Sequence, residues 1–473
     1  MFSVLGPRPF RYHRSSFQQY GRLCCPSKFS STHSLLAAYG RRSHSVAELK
    51  GTYHAEVDIE NLEGYAPGGY HPTLIGDAFC NGRYTVVHKL GFGSYSTIWL
   101  AFDEQLRRYV SLKILVAGES TKSHESEILQ RLENGNRSHP GNQFIPTLLD
   151  RFYFDGPNGH HQCLVGEPCG WSIAVAKEES GNPMFPHEAA RALAAQLILG
   201  LSYIHSSDVC HGDLHLHNFL LRVTNIDHLS TAELYSQYGN PFEVSTRRIN
   251  GQSSAPHAPP RAVYSIRWNM LANKTTDPEV MISDYGTSFV MSQTPSPILH
   301  TPALYAPPEE LFKEPITIPT AADIWTLGVV LYDAVGGRPL FENFTWDPDQ
   351  IFFEMVNALG QPPERWGNPW ASRGDFFNPD DSWTTNFRRI YIPENLHLHQ
   401  RMWDMGRGET PETCEWDVAG GELAALEDML RSMLAFEPAQ RPTAKHLLES
   451  EYVVKWAMPA WEKQLERKRG RAV

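Results

Sequence analysis

The pattern of apolar and polar positions divides the chain into a strand-rich front part and a helix-rich remainder. From Arg83 to Leu90 the two alternate (Tyr84, Val86, His88, Leu90), the period of a strand with one buried face. Gly91-Phe92-Gly93-Ser94-Tyr95 interrupts the alternation, and Ser96 to Ala101 resumes it. Arg108–Leu115 predicts a further strand, with Lys113 set among apolar neighbours. Glu119–Glu133 predicts a helix that buries Ile128, Leu129 and Leu132. Phe144–Phe154 and Gln162–Val165 predict two more strands, and the Gly- and Pro-containing run to Gly170 ends them in a hinge over 167–170.

Beyond the hinge the period becomes helical. Leu193, Leu197, Leu201 and Ile204 fix a helix over His187–Ser206, and Phe219–Val223 is a short strand. Ala322–Tyr332 is apolar on every face, which predicts complete burial, so Asp323 inside it needs hydrogen-bond partners. Phe341 to about Gly420 is rich in Trp, Pro and Asp, with only short helical runs. Glu422–Phe436 and Thr443–Glu449 predict the closing helices, and 456–473 reads as a tail. Two stretches escape the pattern. Residues 51–82, punctuated by Gly and Pro, read as an extended lead-in with no assigned role. Residues from about 224 to 278 break the pattern, and within them Asn250–Pro260, poor in core-forming residues, predicts a surface insertion.

Composition narrows the classes. A chain of 473 residues that is 41% apolar can build a sizeable core, which excludes wholesale disorder. No apolar run is long enough to span a membrane. The 7 Cys are scattered without a C-x-x-C pair, so neither a disulfide framework nor a zinc site is expected. A net charge of −11 argues against a broad nucleic-acid surface and suits a basic protein partner. The first 47 residues differ: Arg8, Arg11, Arg14, Arg22, Lys28, Arg41 and Arg42 occur with no acid before Glu48. That makeup predicts a mitochondrial presequence within residues 1–50, the alternatives being a disordered basic tail or sequence upstream of a misassigned start codon.

Candidate chemistry centres on Val209–Leu221. Asp213 and Asn218, five residues apart on one loop, can converge: Asp213 would take or orient a hydroxyl proton, and Asn218 would hold a metal ion on phosphate oxygens. Gly91 and Gly93, between two strands, let backbone N–H groups approach phosphates. Lys113 would sit over those phosphates, fixed by Glu125, with Glu127 as the alternative partner. Asp284, after the apolar Met281-Ile282, could chelate Mg²⁺ together with Asn218.

Taken in order from about 83 to 453, these pieces resemble the eukaryotic protein kinase domain. More narrowly they resemble the SRPK family, kinases of Arg/Ser-rich splicing factors, in a fungal-type form. Gly68-Gly69-Tyr70-His71-Pro72, Ile75-Gly76-Asp77, Ser96-Thr97-Ile98-Trp99 and the long spacer before Asp284 carry the narrower likeness. The resemblance implies an α+β, two-lobed fold, with an antiparallel sheet-rich small lobe over 83–166 and a mainly helical large lobe over 171–455. It implies ATP and Mg²⁺ as cofactors, with ATP held by Leu90, Gly91, Phe92, Gly93, Ser94, Ser96, Ile98, Lys113, Glu125, Gly166 and Glu167. Asp213 is then the catalytic base, assisted by Lys113 and Asn218; Asn218 and Asp284 bind Mg²⁺, and Glu309 pairs with Arg441 as a brace. Substrates would be basic Arg/Ser-rich proteins, the state monomeric, and the place cytoplasm or nucleus.

Three departures matter. Gly212 stands where an arginine usually anchors an activation-loop phosphate, so an active form ordered without phosphorylation is expected. His215 replaces a lysine that neutralises the transferred phosphate, and an imidazole does this less well near pH 7. Gly166 stands where a bulky side chain usually closes the rear of the adenine pocket. Two alternatives stand beside the kinase reading. One is a pseudokinase scaffold; the other is a small-molecule kinase of the aminoglycoside-phosphotransferase type, whose H-G-D-L-H-x-x-N loop is very like His211–Asn218.

Overall fold

Six strands follow from the alternating front part: β1 (Ala78–Phe79), β2 (Tyr84–Gly93), β3 (Ser96–Asp103), β4 (Arg108–Leu115), β5 (Asp150–Gly156) and β6 (Gly159–Gly166). In a computed structural model they form one antiparallel sheet ordered β1-β2-β3-β4-β6-β5. The structure describes residues 52–54, 56–295, 297–342, 347–378, 384 and 396–471; the expected presequence lies outside them. One sheet face buries Val86, Trp99, Leu112, Ile114 and Val165. The strand expected over Phe144–Phe154 begins later, at Asp150. Pro146 has no N–H to give a ladder, and Pro140–Phe144 forms a 3₁₀ turn instead.

Helix α1 (Glu125–Glu133) is shorter than the expected Glu119–Glu133. Ser120 is the reason: its hydroxyl donates to the Val116 carbonyl and accepts from the Gln162 N–H, which holds 119–123 in turns. After β6, β7 (Cys169–Ser172) leads into α2 (Ile173–Glu178), N-capped by the Ser172 hydroxyl. The large lobe is built on α3 (His187–Ser206), buried almost from end to end. Strands β8 (Val209–Cys210) and β9 (Phe219–Arg222) bracket the Asp213 loop.

The 224–278 insertion holds packed elements on either side of its polar stretch. It contains α4 (Thr231–Tyr238), closed by a reciprocal Ser230–Glu233 cap, and the hairpin β10 (Glu243–Ser245) and β11 (Arg261–Val263). Ile226, Leu234, Ile266 and Trp268 are buried against Val87, Leu100 and Tyr109 on the second face of the sheet. Tyr235 donates to the Val87 carbonyl (2.7 Å), and Ile266 N–H to that of Lys89 (2.8 Å). Asn250–Ser253, Ala255 and Pro256 are exposed, as expected of the polar stretch. The lead-in also packs: Ile59, Leu62, Tyr65 and Tyr70 bury against Ala258 and Ala262 of the insertion.

Downstream, β12 (Val280–Ile282) joins β9 and β7 in a small sheet, and β13 (Phe289–Val290) pairs with β8. Helix α5 (Pro308–Leu311) precedes α6 (Pro319–Val335), whose residues Ala321–Val335 are all buried, as its composition requires. The Trp-rich stretch holds one three-turn helix where only short runs were expected, α7 (Pro348–Leu359), which buries Ile351, Phe352 and Met355. Helices α8 (Glu364–Gly367), α9 (Arg373–Phe376) and α10 (Leu398–Asp404) are short, and 343–346, 379–383 and 385–395 lie outside the described residues. Helices α11 (Glu422–Met433) and α12 (Ala444–Leu447) follow. The supposed tail is α13 (Met458–Arg471): Ala460, Trp461 and Gln464 are buried on one face, and Gln464 donates to the Pro278 carbonyl at 2.7 Å.

Candidate functional site

Strand β4 carries Lys113 between two carboxylates. Its Nζ lies 2.7 Å from Glu125 Oε1 on α1 and 2.8 Å from Asp284 Oδ1 after β12. Glu127 is exposed and pairs with His124, so Glu125 is the partner. Burial opposes the lysine's charge, but Asp284 and Glu125 outweigh it and hold the ammonium above the usual lysine range. The Lys113 charge pulls Asp284 down to about 2. Glu125 is raised, first by burial and then by the Asp284 charge, against the pull of Lys113. Asp284 has φ 67°, a left-handed conformation uncommon for a side-chain-bearing residue.

The Asp213 loop rests on α6. Asp323 accepts from the N–H groups of His211 (2.8 Å) and Gly212 (3.0 Å) and from His205 Nε2 (3.0 Å), which meets its need for partners. His211 is fully buried, and burial lowers its pKa, so it is neutral. Its Nε2 donates to the Ser283 carbonyl (3.1 Å), and its Nδ1 accepts from the Asp213 N–H (3.3 Å). Asn218 Nδ2 donates to the Asp213 carbonyl at 2.9 Å, which fixes the orientation of its amide. Asp213 Oδ1 is buried with no hydrogen-bond donor among the described residues, an arrangement expected of a group that meets a substrate. His215 Nε2 stands 3.6 Å from that oxygen.

Between β2 and β3, Gly91 would put a Cβ into open space, and Gly93 would meet nothing nearer than Ser96 Oγ at 4.0 Å. Neither has the positive φ that makes glycine obligatory in a turn. The room they leave suits a ligand that must come close to the backbone. Phe92 is exposed at the loop tip, Ser94 lies in the turn, and Leu90 is a partly buried residue at the β2 bulge. Ser96 is buried at the start of β3, and Ile98 is paired with Lys113 in register. At the hinge, a Cβ on Gly166 would lie 3.3 Å from Ser111 Oγ, beside Lys113 on the same strand face. The Glu167 side chain turns away to Arg222 (2.7 Å), while its carbonyl accepts from Ser111 Oγ (3.2 Å).

The segment from Asp284 to Glu309 docks on the loop directly. Ser288 Oγ donates to the His211 carbonyl (2.9 Å); His300 N and Thr301 Oγ1 both donate to the Gly212 carbonyl (3.2 Å). Phe289, Leu299, Ile316 and Ala322 pack together beneath it. Glu309 and Arg441 form a buried bidentate pair at 2.7 and 2.8 Å. Glu310, which the sequence did not single out, has a buried carboxylate oxygen without a partner. Burial, Glu309 and Asp213 push it up to about 7.

Comparison with known proteins agrees with this geometry. The family model described as a protein kinase domain matches residues 84–230 and 267–453, leaving out the middle of the insertion. The serine/threonine-protein kinase SRPK of Physarum polycephalum is 25% identical over 414 residues, 84% of this chain and 92% of that one. Protein kinase dsk1 of Schizosaccharomyces pombe is 36% identical over 202 residues, 41% of this chain but 37% of its own length. SRSF protein kinase 3 of Homo sapiens is 38% identical over 172 residues, 36% of this chain and 30% of that protein. A crystal structure of a kinase domain superposes with a TM-score of 0.55 at 18% identity, covering 81% of this chain and 98% of the other, and shows the shared fold.

Proposed function

The chain belongs to the protein kinase family and is a serine/threonine protein kinase of SRPK type; from that premise we propose that it phosphorylates Arg/Ser-rich proteins with Mg²⁺-ATP. The observation that carries the catalytic reading is Lys113 held at hydrogen-bond distance by Glu125 and Asp284 together. Bound Mg²⁺-ATP supplies the phosphoryl group and the charge neutralisation. Lys113 orients the phosphates, and Asp213 accepts the hydroxyl proton through its unpartnered oxygen. Asn218 and Asp284 would hold the Mg²⁺. Among the described residues no cluster of three His, Cys, Asp or Glu could hold a metal. A pair of protein ligands would suffice for this ion, which is commonly held by one or two carboxylates.

The proposal includes activity without phosphorylation of the Asp284–Glu309 segment, because Gly212 and Thr301 already secure it. The small-molecule phosphotransferase reading is set aside by the family match. The scaffold reading, motivated by Gly212 and His215, is opposed by the assembled Lys113–Glu125–Asp284 group. No helix among the described residues is long and apolar enough to cross a membrane. A monomer acting on basic proteins rather than nucleic acid fits the charge of −11. For location, residues 1–47 support a mitochondrial address and the family likeness a cytoplasmic or nuclear one. A diffuse signal from a fluorescent reporter fused to 1–47 removes the former.

The test is radiolabel transfer from ATP to an Arg/Ser peptide, before and after phosphatase treatment. Transfer survives treatment, and Asp213→Asn lowers it by about 10²–10⁴-fold. No transfer by the wild-type chain overturns the enzyme reading; loss on treatment overturns the constitutive one.

A further inference from the structure

Gly68-Gly69-Tyr70 takes no part in the chemistry above, yet it is tightly built. Gly68 has φ 87°, and a Cβ on Gly69 would sit 1.8 Å from the Gly64 carbonyl oxygen. Gly64 is equally constrained, since its Cβ would lie 2.5 Å from the Tyr70 ring. The turn is fastened to the sheet. Gly68 N–H donates to the Asn158 carbonyl (2.7 Å), and Gly118 and Ala117 N–H donate to Gly68 and Gly69 (2.7 and 3.1 Å). Asn158 Nδ2 donates back to the Tyr70 carbonyl at 2.5 Å.

All of this delivers one hydroxyl. Tyr70 is only 6% exposed, and its Oη donates to the Gly93 carbonyl at 2.8 Å and lies 3.3 Å from that of Ser94. These carbonyls are at the tip of the glycine-rich loop. Beneath the same loop Lys89, 0% exposed, pairs with Glu60, which also accepts from the Tyr65 hydroxyl. Lys89 Nζ is 5.4 Å from the centroid of the Phe92 ring. Burial and the Glu60 carboxylate push Tyr70 up to about 12, so the hydroxyl remains a donor. A peptide unit is planar and trans, with C=O and N–H pointing in opposite directions. Holding the Gly93 and Ser94 carbonyls therefore aims the N–H groups of Ser94 and Tyr95 away from Tyr70.

We propose that Tyr70 is a positioning residue for phosphoryl transfer: its hydroxyl sets the two peptide planes at the loop tip, and so the reach of the Ser94 and Tyr95 N–H groups toward the nucleotide phosphates. The proposal rests on the ATP reading above. It also gives the lead-in, which composition left without a role, a place in the catalytic unit.

The experiment compares full-length wild type with Tyr70→Phe and Tyr70→Leu. It reads kcat and KM for ATP, the affinities of ATP and adenosine, and the melting midpoint. In Tyr70→Phe, kcat/KM for ATP falls about five- to tenfold, the scale of one lost hydrogen bond. Adenosine affinity stays as in wild type, because adenosine has no phosphate to feel the loop, and the midpoint falls by no more than about 2–4 °C. Tyr70→Phe behaving as wild type, with only Tyr70→Leu impaired, assigns the effect to ring packing and overturns the proposal alone. Equal losses for adenosine and ATP in Tyr70→Phe overturn it as well. A wild-type chain that does not bind ATP overturns the ATP reading and this proposal together.

Discussion

The floor and the roof of the site are built by opposite means. The floor, the Asp213 loop, is locked from below by Asp323, His205, His211 and Ser283, through short bonds that are largely buried. The roof, the Gly91–Tyr95 loop, has open space where its glycines would carry a Cβ, and its residues Phe92 and Tyr95 are 41% and 63% exposed. It hangs from the lead-in and from the strand that holds Lys89. Groups that meet the accepting hydroxyl and the metal need fixed geometry, because small misplacements cost large factors in rate. A cover over a nucleotide that must enter and leave needs only light restraint.

The largest effect should come from the floor. Asp323→Ala removes acceptors from two backbone N–H groups and from His205. It should lower kcat about 10²-fold and stability by about 2–5 kcal/mol in denaturant unfolding. A variant with near-normal kcat would show that the floor is not held from α6. The next effect belongs to the hinge end of the roof. Gly166→Phe should weaken a bulky C3-substituted pyrazolopyrimidine about thirty- to hundredfold, from ~100 Å² of lost burial worth about 2–3 kcal/mol, while ATP binds nearly as before. Equal, weak inhibition of both forms would mean that neighbouring side chains already close the space.

A smaller change follows from adding charge to the floor. His215→Lys, next to Asp213, should raise kcat by up to about fivefold, roughly 1 kcal/mol of transition-state stabilisation. An unchanged rate would mean that other contacts already meet the need. The smallest effect concerns Glu310. An exposed glutamate titrates at about 4.3, and Glu310 is pushed up to about 7, so the folded state holds the extra proton between these values. Stability therefore falls as pH rises through that window, and Glu310→Gln flattens the fall. KM for an Arg-containing peptide should drop as pH passes about 7 in wild type only, since a carboxylate then appears beside Asp213. Parallel profiles for both forms would remove Glu310 from substrate binding.

What could be read in the sequence was what local pattern determines. Asp323 was legible because a carboxylate inside an apolar helix must find donors, and Lys113 because a lysine in a buried strand must find an acid. The start of α1 was misread because Ser120 bonds its own surroundings in preference to a helix. Helix α13 was hidden by its charge: Ala460, Trp461 and Gln464 are buried, with Met458 and Leu465 packed beside them, among Lys, Arg and Glu. The packing of the insertion was not legible because its anchors, Ile226, Leu234, Ile266 and Trp268, flank a long polar stretch. Tyr70 could not be assigned, since its partner lies 23 residues away and is a carbonyl, which no side-chain pattern reports.

The insertion also bears on how the chain is made. Synthesis completes the sixth strand of the sheet at Gly166, but Val87, Leu100 and Tyr109 stay uncovered until residues 226–268 have left the ribosome. For some sixty to a hundred residues of elongation, roughly 3–20 s at about 5–20 residues per second, the nascent sheet carries a bare apolar face. The fragment ending at the hinge has all its strands in order but lacks the cover of this face.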